Sequence, residues 1–183
     1  MQVTQEEIFI KVVEALEKSG IDYMITGSIA AINYGVPRYT HDMDVVVVMD
    51  ISAGKRLSKE LESEFYIDPE AIIESIRGLG FFNIVHLETG LKVDFWSLKN
   101  TDFDRKSFVR RRKIDFFGRE SYFIAPEDLI LNKLLWYKQG KSSTQIQDIE
   151  GILKTLSQLD YDYIADWAEE LSVFEIWKEL IKK

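Results

Sequence analysis

Two aspartates, Asp42 and Asp44, stand at the mouth of the most hydrophobic run of the chain, MDVVVVM over 43–49. An ionised carboxylate entering a buried strand is costly unless something compensates its charge. Alternate residues of a strand share a face, so Asp42 and Asp44 point together while Met43 and Val45 point away. Farther on, LKVDFWSL places Asp94 among alternating residues, with Leu91, Val93 and Phe95 on the opposite face. If the two strands are neighbours, three carboxylates meet at one place and repel each other. A divalent cation relieves that repulsion, and carboxylate oxygens with positions left for water suit Mg²⁺ (or Mn²⁺). Magnesium commonly completes its shell with substrate phosphates, so the chemistry indicated is phosphoryl or nucleotidyl transfer.

Gly27 and Ser28 add to this. They follow the short apolar run IDYMIT and precede IAAINYG, a strand-to-helix junction where backbone N–H groups attract anions. Glycine lets the backbone approach a phosphate closely, and the serine hydroxyl can donate to it. Neither Gly-Ser nor Asp-x-Asp is specific alone. Their order is: strand, Gly-Ser, helix, Asp-x-Asp opening a strand, then an aspartate on a later strand.

The elements that must position these residues are readable from periodicity. Thr4 and Glu7 have capping-box spacing ahead of Ile8, Val12 and Leu16, which can share one helical face, and Gly20 can close that helix. Strands are expected over Ile21–Thr26 and along MDVVVVM, the latter buried on both faces. AGKRLSKELESE and DPEAIIESIRGLG read as helices, the second with Asp68 as cap and Pro69 at its first position. FFNIVHLETGLKVDFWSL reads as two strands joined at Thr89-Gly90, and KIDFFGRESYFIA as a second hairpin around Gly118. A charged segment lies between them. From Pro126 the pattern is helical: Pro126–Gln139, Thr144–Leu156, Tyr161–Leu171 and Phe174–Ile181. The fold class expected is α+β, with a mixed-sheet core over 1–125 and a helical C-terminal region over 126–183, packed onto that core or separate from it.

Bulk properties narrow the partners. Lys and Arg number 23 against 31 Asp and Glu, a net charge of −8, which disfavours a protein that coats nucleic acid non-specifically. One local exception, Arg110–Lys113 with Arg105 and Lys106 before it, reads as a solvated helix face or as a landing strip for a polyanion. With no cysteine, disulfides and thiolate metal sites are excluded. The first twenty residues form an amphipathic helix rather than a signal peptide, and no apolar run suits a bilayer. A cytoplasmic setting without membrane contact is expected.

Gly27-Ser28, thirteen residues, Asp42-x-Asp44 and then Asp94 together resemble the signature of the DNA polymerase β-type nucleotidyltransferase superfamily. TGSIAAINYGVPRYTHDMDVVV with APEDLILNKLLWYKQGKSSTQIQDIEGIL is similar to its minimal bacterial and archaeal branch, which includes the AbiEii-like toxins of type IV toxin–antitoxin systems. The resemblance spans about Tyr23 to Leu153. It implies the nucleotidyltransferase fold, and Asp42 and Asp44 holding two Mg²⁺ ions on a nucleoside triphosphate. Asp94 would complete the second metal site and help activate an acceptor hydroxyl. A nucleoside monophosphate would pass to that acceptor, a tRNA 3′ end, a protein or a small molecule, and a toxin would have a cognate antitoxin as partner. A non-catalytic nucleotide-binding or interaction module and a metal-dependent phosphohydrolase are the rival readings.

Several single residues carry two readings. Lys133 lies within an apolar helical arc between Leu129 and Tyr137. Its ammonium either snorkels to water or reaches the triphosphate, as the toxin resemblance implies. Asp148 is a solvated helix edge or, by the same resemblance, that lysine's companion in the site. Arg38 can touch a phosphate or be a surface-loop arginine. Trp96 shares a face with Asp94 and either covers the sheet or flanks a base. Thr40, His41 and His86 are expected to have no role in the chemistry.

Overall fold

The computed structural model describes residues 3–182; Met1, Gln2 and Lys183, at the ends of the two expected regions, lie outside it. α1 (Gln5–Lys18) opens with the expected capping box: Thr4 Oγ1 accepts from the Glu7 N–H, and the Glu7 side chain accepts from the Thr4 N–H. It buries Ile8, Val12 and Leu16. The chain then forms β1 (Asp22–Thr26), α2 (Gly27–Asn33), β2 (Asp42–Val48) and α3 (Ile51–Leu61). β3 (Phe65–Ile67), α4 (Pro69–Glu74), β4 (Phe81–His86), β5 (Lys92–Ser97) and α5 (Asp102–Val109) follow. Next come the hairpin β6 (Arg112–Phe116) and β7 (Arg119–Phe123), then α6 (Pro126–Gly140), α7 (Ser143–Thr155), α8 (Tyr161–Glu170) and α9 (Phe174–Ile181).

Among the described residues the strands make one mixed sheet in the order β3-β4-β5-β2-β1-β7-β6. β2 is antiparallel to β1 and parallel to β5, which makes it an interior strand, as its run of valines requires. β1 is joined on its other edge by β7 in parallel register. A single hydrophobic cluster runs from Ile8 on α1 through Val45 and Phe95 in the sheet to Ile149, Trp177 and Leu180 on the last helices.

Three expectations change. β3 was not foreseen, because three residues are too few to display an alternation. α5 was read only as a charged segment; its helix is held by Thr101, which accepts from the Asp104 N–H, and buries just Phe103, Ser107 and Phe108. The helix from Pro69 does not run regularly through Gly80. It widens into a π-type turn over Ser75–Leu79, where Gly78 adopts φ +133°, outside the helical region.

The basic run is neither a helix face nor a free cationic strip. Arg110 caps α5, and Arg112 and Lys113 begin β6. Arg110 Nε lies 3.1 Å from Asp128 Oδ2, and its Nη2 lies 3.2 Å from Glu127 Oε2. Arg112 Nη2 is 3.1 Å from the same Glu127 oxygen. Arg111 is layered on the Phe108 and Tyr122 rings and meets Asp22, while Lys113 pairs with Glu120. Glu127 and Asp128 are buried in the first turn of α6, where the helix dipole also favours negative charge. Tyr163 of α8 completes the cluster: its hydroxyl donates to Asp128 Oδ1 at 2.6 Å, and the Arg110 guanidinium lies 3.9 Å from its ring centroid.

Candidate active site

β2 and β5 are neighbours in parallel register, with Asp42 opposite Lys92 and Asp44 opposite Asp94. Two carboxylates therefore share one rung of the sheet, and Asp42 stands two residues before Asp44 on the same face. Asp94 is buried, Asp44 half-buried and Asp42 exposed. The Trp96 indole N–H donates to Asp44 Oδ1 at 3.3 Å. Burial pushes the Asp44 carboxyl above the ordinary carboxylate range, and the nearby Asp94 and Asp42 charges push it further.

Gly27 explains how Asp44 fits. It begins α2 at φ +63°, in the left-handed region that glycine occupies without penalty. A Cβ at this position would fall 2.0 Å from Asp44 Oδ2, so the bare Cα makes room for the carboxylate. Ser28, the next residue, is half-buried beside it.

α6 and the segment between α2 and β2 supply a cation each, Lys133 and Arg38, and α7 supplies the carboxylate that both meet, Asp148. Lys133 is 2 % exposed, which rules out snorkelling. Its ammonium donates to Asp148 Oδ2 at 2.6 Å, and Arg38 Nη1 reaches the same oxygen at 2.8 Å. Asp148 is also 2 % exposed, so it is not a solvated helix edge. Burial pulls the Lys133 ammonium below the usual lysine range and Arg38 adds to this, while Asp148 and Asp44 pull the other way. A cavity of about 410 Å³ opens against Arg38 and Asp148, with Thr144, Gln147 and Lys154 on its walls.

The sequence-predicted residues thus form two groups, Gly27, Ser28, Asp42, Asp44 and Asp94 in one and Arg38, Lys133 and Asp148 in the other, linked by the field between Lys133 and Asp44. His41 is exposed against the Tyr39 ring. His86 is buried against Phe65, with Nδ1 3.0 Å from Thr89 Oγ1. One residue was missed. Lys92 faces Asp42 across the rung, its ammonium lies 2.9 Å from Asp94 Oδ2, and its pKa is raised chiefly by that hydrogen bond. Its position two residues before Asp94 on a strand was the available signal.

Whether the carboxylates suit a divalent ion can be judged from their atoms. Among the described residues, no three acidic or histidine side chains already stand in ligand geometry. Lys92 engages one Asp94 oxygen and Trp96 one Asp44 oxygen. Asp94 Oδ1, however, is buried without a hydrogen-bond partner, and a buried carboxylate oxygen left so is poorly satisfied. The donor set is all oxygen, as Mg²⁺ and Mn²⁺ prefer.

A thermal test follows. Because the folded-state pKa of Asp44 is raised, the folded chain holds its proton more tightly than the unfolded one. Stability therefore falls as pH rises from the unfolded carboxylate value through the raised one. Ion binding counters this above that window. At a hundred times its Kd an ion adds about 2.7 kcal/mol, which is several degrees at about 2–4 °C per kcal/mol for a chain of this size. Differential scanning fluorimetry should show Mn²⁺ raising the melting temperature at neutral pH. No shift, or an equal one in Asp44→Asn, would remove the carboxylates as its ligands.

No protein-family model and no curated protein matches the chain. Solved structures do. An antigenic nucleotidyltransferase-like protein from Paracoccidioides brasiliensis superposes with a TM-score of 0.62 at 18% identity, over 96% of this chain and 87% of that one. The fold is that of the nucleotidyltransferases. Lincomycin-bound lincosamide antibiotic adenylyltransferase LnuA shares it, with a TM-score of 0.56 at 14% identity over 85% of this chain and all of that one. ANT(2")-Ia in complex with adenylyl-2"-tobramycin does too, with a TM-score of 0.57 at 13% identity over 99% of this chain and all of that one. Among the described residues of this nucleotidyltransferase fold, no helix is long and apolar enough to cross a membrane.

Proposed function

We propose that the protein is a metal-dependent nucleotidyltransferase that moves a nucleoside monophosphate from a nucleoside triphosphate to an acceptor hydroxyl. The observation that carries this reading is the shared rung of Asp44 and Asp94, with Gly27 cleared for the Asp44 carboxylate. Asp42, Asp44 and Asp94 would hold Mg²⁺ or Mn²⁺, which when bound neutralises phosphate charge and polarises the reacting oxygens. The chain's own groups supply positioning. Lys133 and Arg38 present fixed positive charge to the triphosphate, with Asp148 holding both in place. Gly27 lets the backbone approach a phosphate oxygen, and the Ser28 hydroxyl donates to it. Asp94, with an oxygen free of hydrogen bonds, takes the proton of the acceptor hydroxyl.

The buried Lys133–Asp148 pair supports the toxin-branch resemblance, which expected both residues in the site. An interaction module has no comparable use for three converging carboxylates beside a buried lysine.

Incubation with each α-³²P-labelled triphosphate, Mn²⁺, and either bulk tRNA or cell lysate tests the reading. Label should move onto an acceptor with release of pyrophosphate. Release of inorganic phosphate instead would favour hydrolysis, and nucleotide binding without turnover an inactive module. Lys133→Met should weaken triphosphate binding by about tenfold or more, the scale of a buried charge-assisted hydrogen bond. Asp148 keeps Arg38 as its partner, so the fold should survive. Unchanged affinity by calorimetry would leave Lys133 a packing role only.

A further inference from the structure

Two rungs beyond Lys92 and Asp42, the same face of the sheet changes character. Val46 stands opposite Trp96, two residues along each strand from Asp44 and Asp94. Over them α6 presents Asn132, Trp136 and Gln139, a stripe at helical spacing that begins one residue before Lys133. A cavity of about 260 Å³ lies between strand and helix, and one of about 360 Å³ continues it between α5, α6 and α8; the two share Lys99, Asp104, Asn132, Trp136 and Gln139. Thr26, the register partner of Asp44, lines the first, and Trp167 and Glu170 line the second. Trp96 is 36% exposed and Trp136 42%, unusual for residues of this size unless something covers them.

We infer that this groove is the acceptor site and that it takes a small hydroxylated organic molecule carrying a basic amine; the inference rests on the nucleotidyltransferase reading above. Three observations select that class. First, the groove opens from the strand face that bears the carboxylates, and the Trp96 indole is hydrogen-bonded to Asp44, so an occupant lies within reach of the reacting centre. Second, its walls combine indole faces, which attract both apolar rings and ammonium groups, with the carboxylates of Asp104 and Glu170 against the single cation Lys99. Asp102, also on the wall, is engaged by Arg105. The charges proposed above to meet phosphate, buried Lys133 and part-buried Arg38, are not among the groove's lining residues. Third, an RNA acceptor requires a cationic track. The one basic run of the sequence is paired with the chain's own acids, Arg110 with Asp128 and Glu127, Arg112 with Glu127 and, at the surface, Lys113 with Glu120, in a chain of net charge −8. The volumes suit a small-molecule site.

In the transfer, the acceptor hydroxyl oxygen forms a bond to the α-phosphorus. The bond from that phosphorus to the oxygen bridging it to the β-phosphate breaks. Pyrophosphate leaves with the bonding pair, and the hydroxyl proton passes to the Asp94 carboxylate and on to water.

Three of the four tryptophans line this groove and the fourth, Trp177, is buried, so indole fluorescence reports binding there directly. The full chain would be titrated with a panel of sugar and aryl amino alcohols, each paired with its neutral twin lacking the amine. Mn²⁺-ATP affinity would be measured in parallel by calorimetry. Amino members should quench the fluorescence and bind about tenfold or more tightly than their twins. Asp104→Asn should reduce that preference by about tenfold, and Trp136→Ala should weaken the amines while both variants keep the parent's Mn²⁺-ATP affinity. Both side chains are at least partly exposed, and the asparagine keeps the Thr101 cap intact. Equal binding of twins, no binding by the panel, or label passing to tRNA equally fast in parent and variants would overturn the inference. Amine binding without Mn²⁺-ATP binding would defeat the nucleotidyltransferase reading, and the acceptor role would fall with it. Mn²⁺-ATP binding without amine binding would defeat the acceptor assignment alone.

Discussion

Asp44→Asn is expected to lower label transfer by about a thousandfold or more, the scale on which a preorganised charge at a reacting phosphate acts, while leaving the melting temperature at or above that of the parent. The two halves have one cause. The asparagine keeps the shape of the side chain and can still accept from the Trp96 indole, so the rung with Asp94 and the space over Gly27 persist. What it removes is a half-buried negative charge beside two others. In the metal-free chain that charge is a burden, as the upward pull on the Asp44 pKa by burial and by its neighbours attests. In the working protein it would be the ligand that two phosphates and an ion require. A variant that gains stability and loses transfer separates a functional carboxylate from a structural one. Retained transfer would dismantle the metal assignment, and a large fall in melting temperature would mean that Asp44 holds the fold.

Asp128→Ala is expected to cause the largest loss of stability among the charged positions, about 3–5 kcal/mol for stripping one partner from a buried ionic cluster. For a chain of this length, at about 2–4 °C per kcal/mol, the melting temperature should drop by roughly ten degrees. Asp128 is fully buried; its removal strands the Tyr163 hydroxyl and takes from Arg110 the acceptor of its Nε. Burial raises the Asp128 pKa, against the hydrogen bond from Tyr163 and the charge of Arg110. With its folded-state pKa above the unfolded one, this carboxyl stabilises least once pH has risen past both. The cluster therefore matters through saturated hydrogen bonding more than through net charge. Asp128→Asn, which keeps an oxygen for Tyr163 and leaves Arg110 with Glu127, should lose less than half as much as the alanine variant. Thermal melts of the two side by side decide it; equal losses would mean that the charge itself is the stabilising element.

The site's carboxylates were legible because strand alternation is a local property. Asp42 and Asp44 had to share a face, and Asp94 had to oppose Val93 and Phe95 wherever those strands lay. That β5 lies directly beside β2 is a matter of sheet order, which no local pattern records. The destinations of Arg110 and Arg112 were hidden for a related reason. Ion-pair partners recognise charge across space, and Glu127 and Asp128 look in sequence like ordinary first-turn acids of a helix. Lys133 could be placed on an apolar arc, but only the packing of α7 against α6 turns that arc inward and brings Asp148 to meet it. Lys92 was the avoidable omission, since the reasoning that joined Asp42 to Asp44 also joins Lys92 to Asp94.

β1 is bordered on one side by β2, its near neighbour in the chain, and on the other by β7, which is made much later. During synthesis the amino-terminal strands emerge first. Gly27 and the three carboxylates therefore leave the ribosome while β1 still has an open edge, and before Lys133 or Asp148 exists. The nascent chain holds an acidic half-site in which Lys92 already pairs with Asp94, while Arg38 still lacks its partner Asp148. Closing the β1 edge with β7 is the same event that leads directly into α6, because the Ile124 N–H bonds to the Ile25 carbonyl and the helix begins at Pro126. Completion of the sheet and arrival of Lys133 are thus one step, and a chain interrupted before it lacks the lysine that the proposed nucleotide site requires.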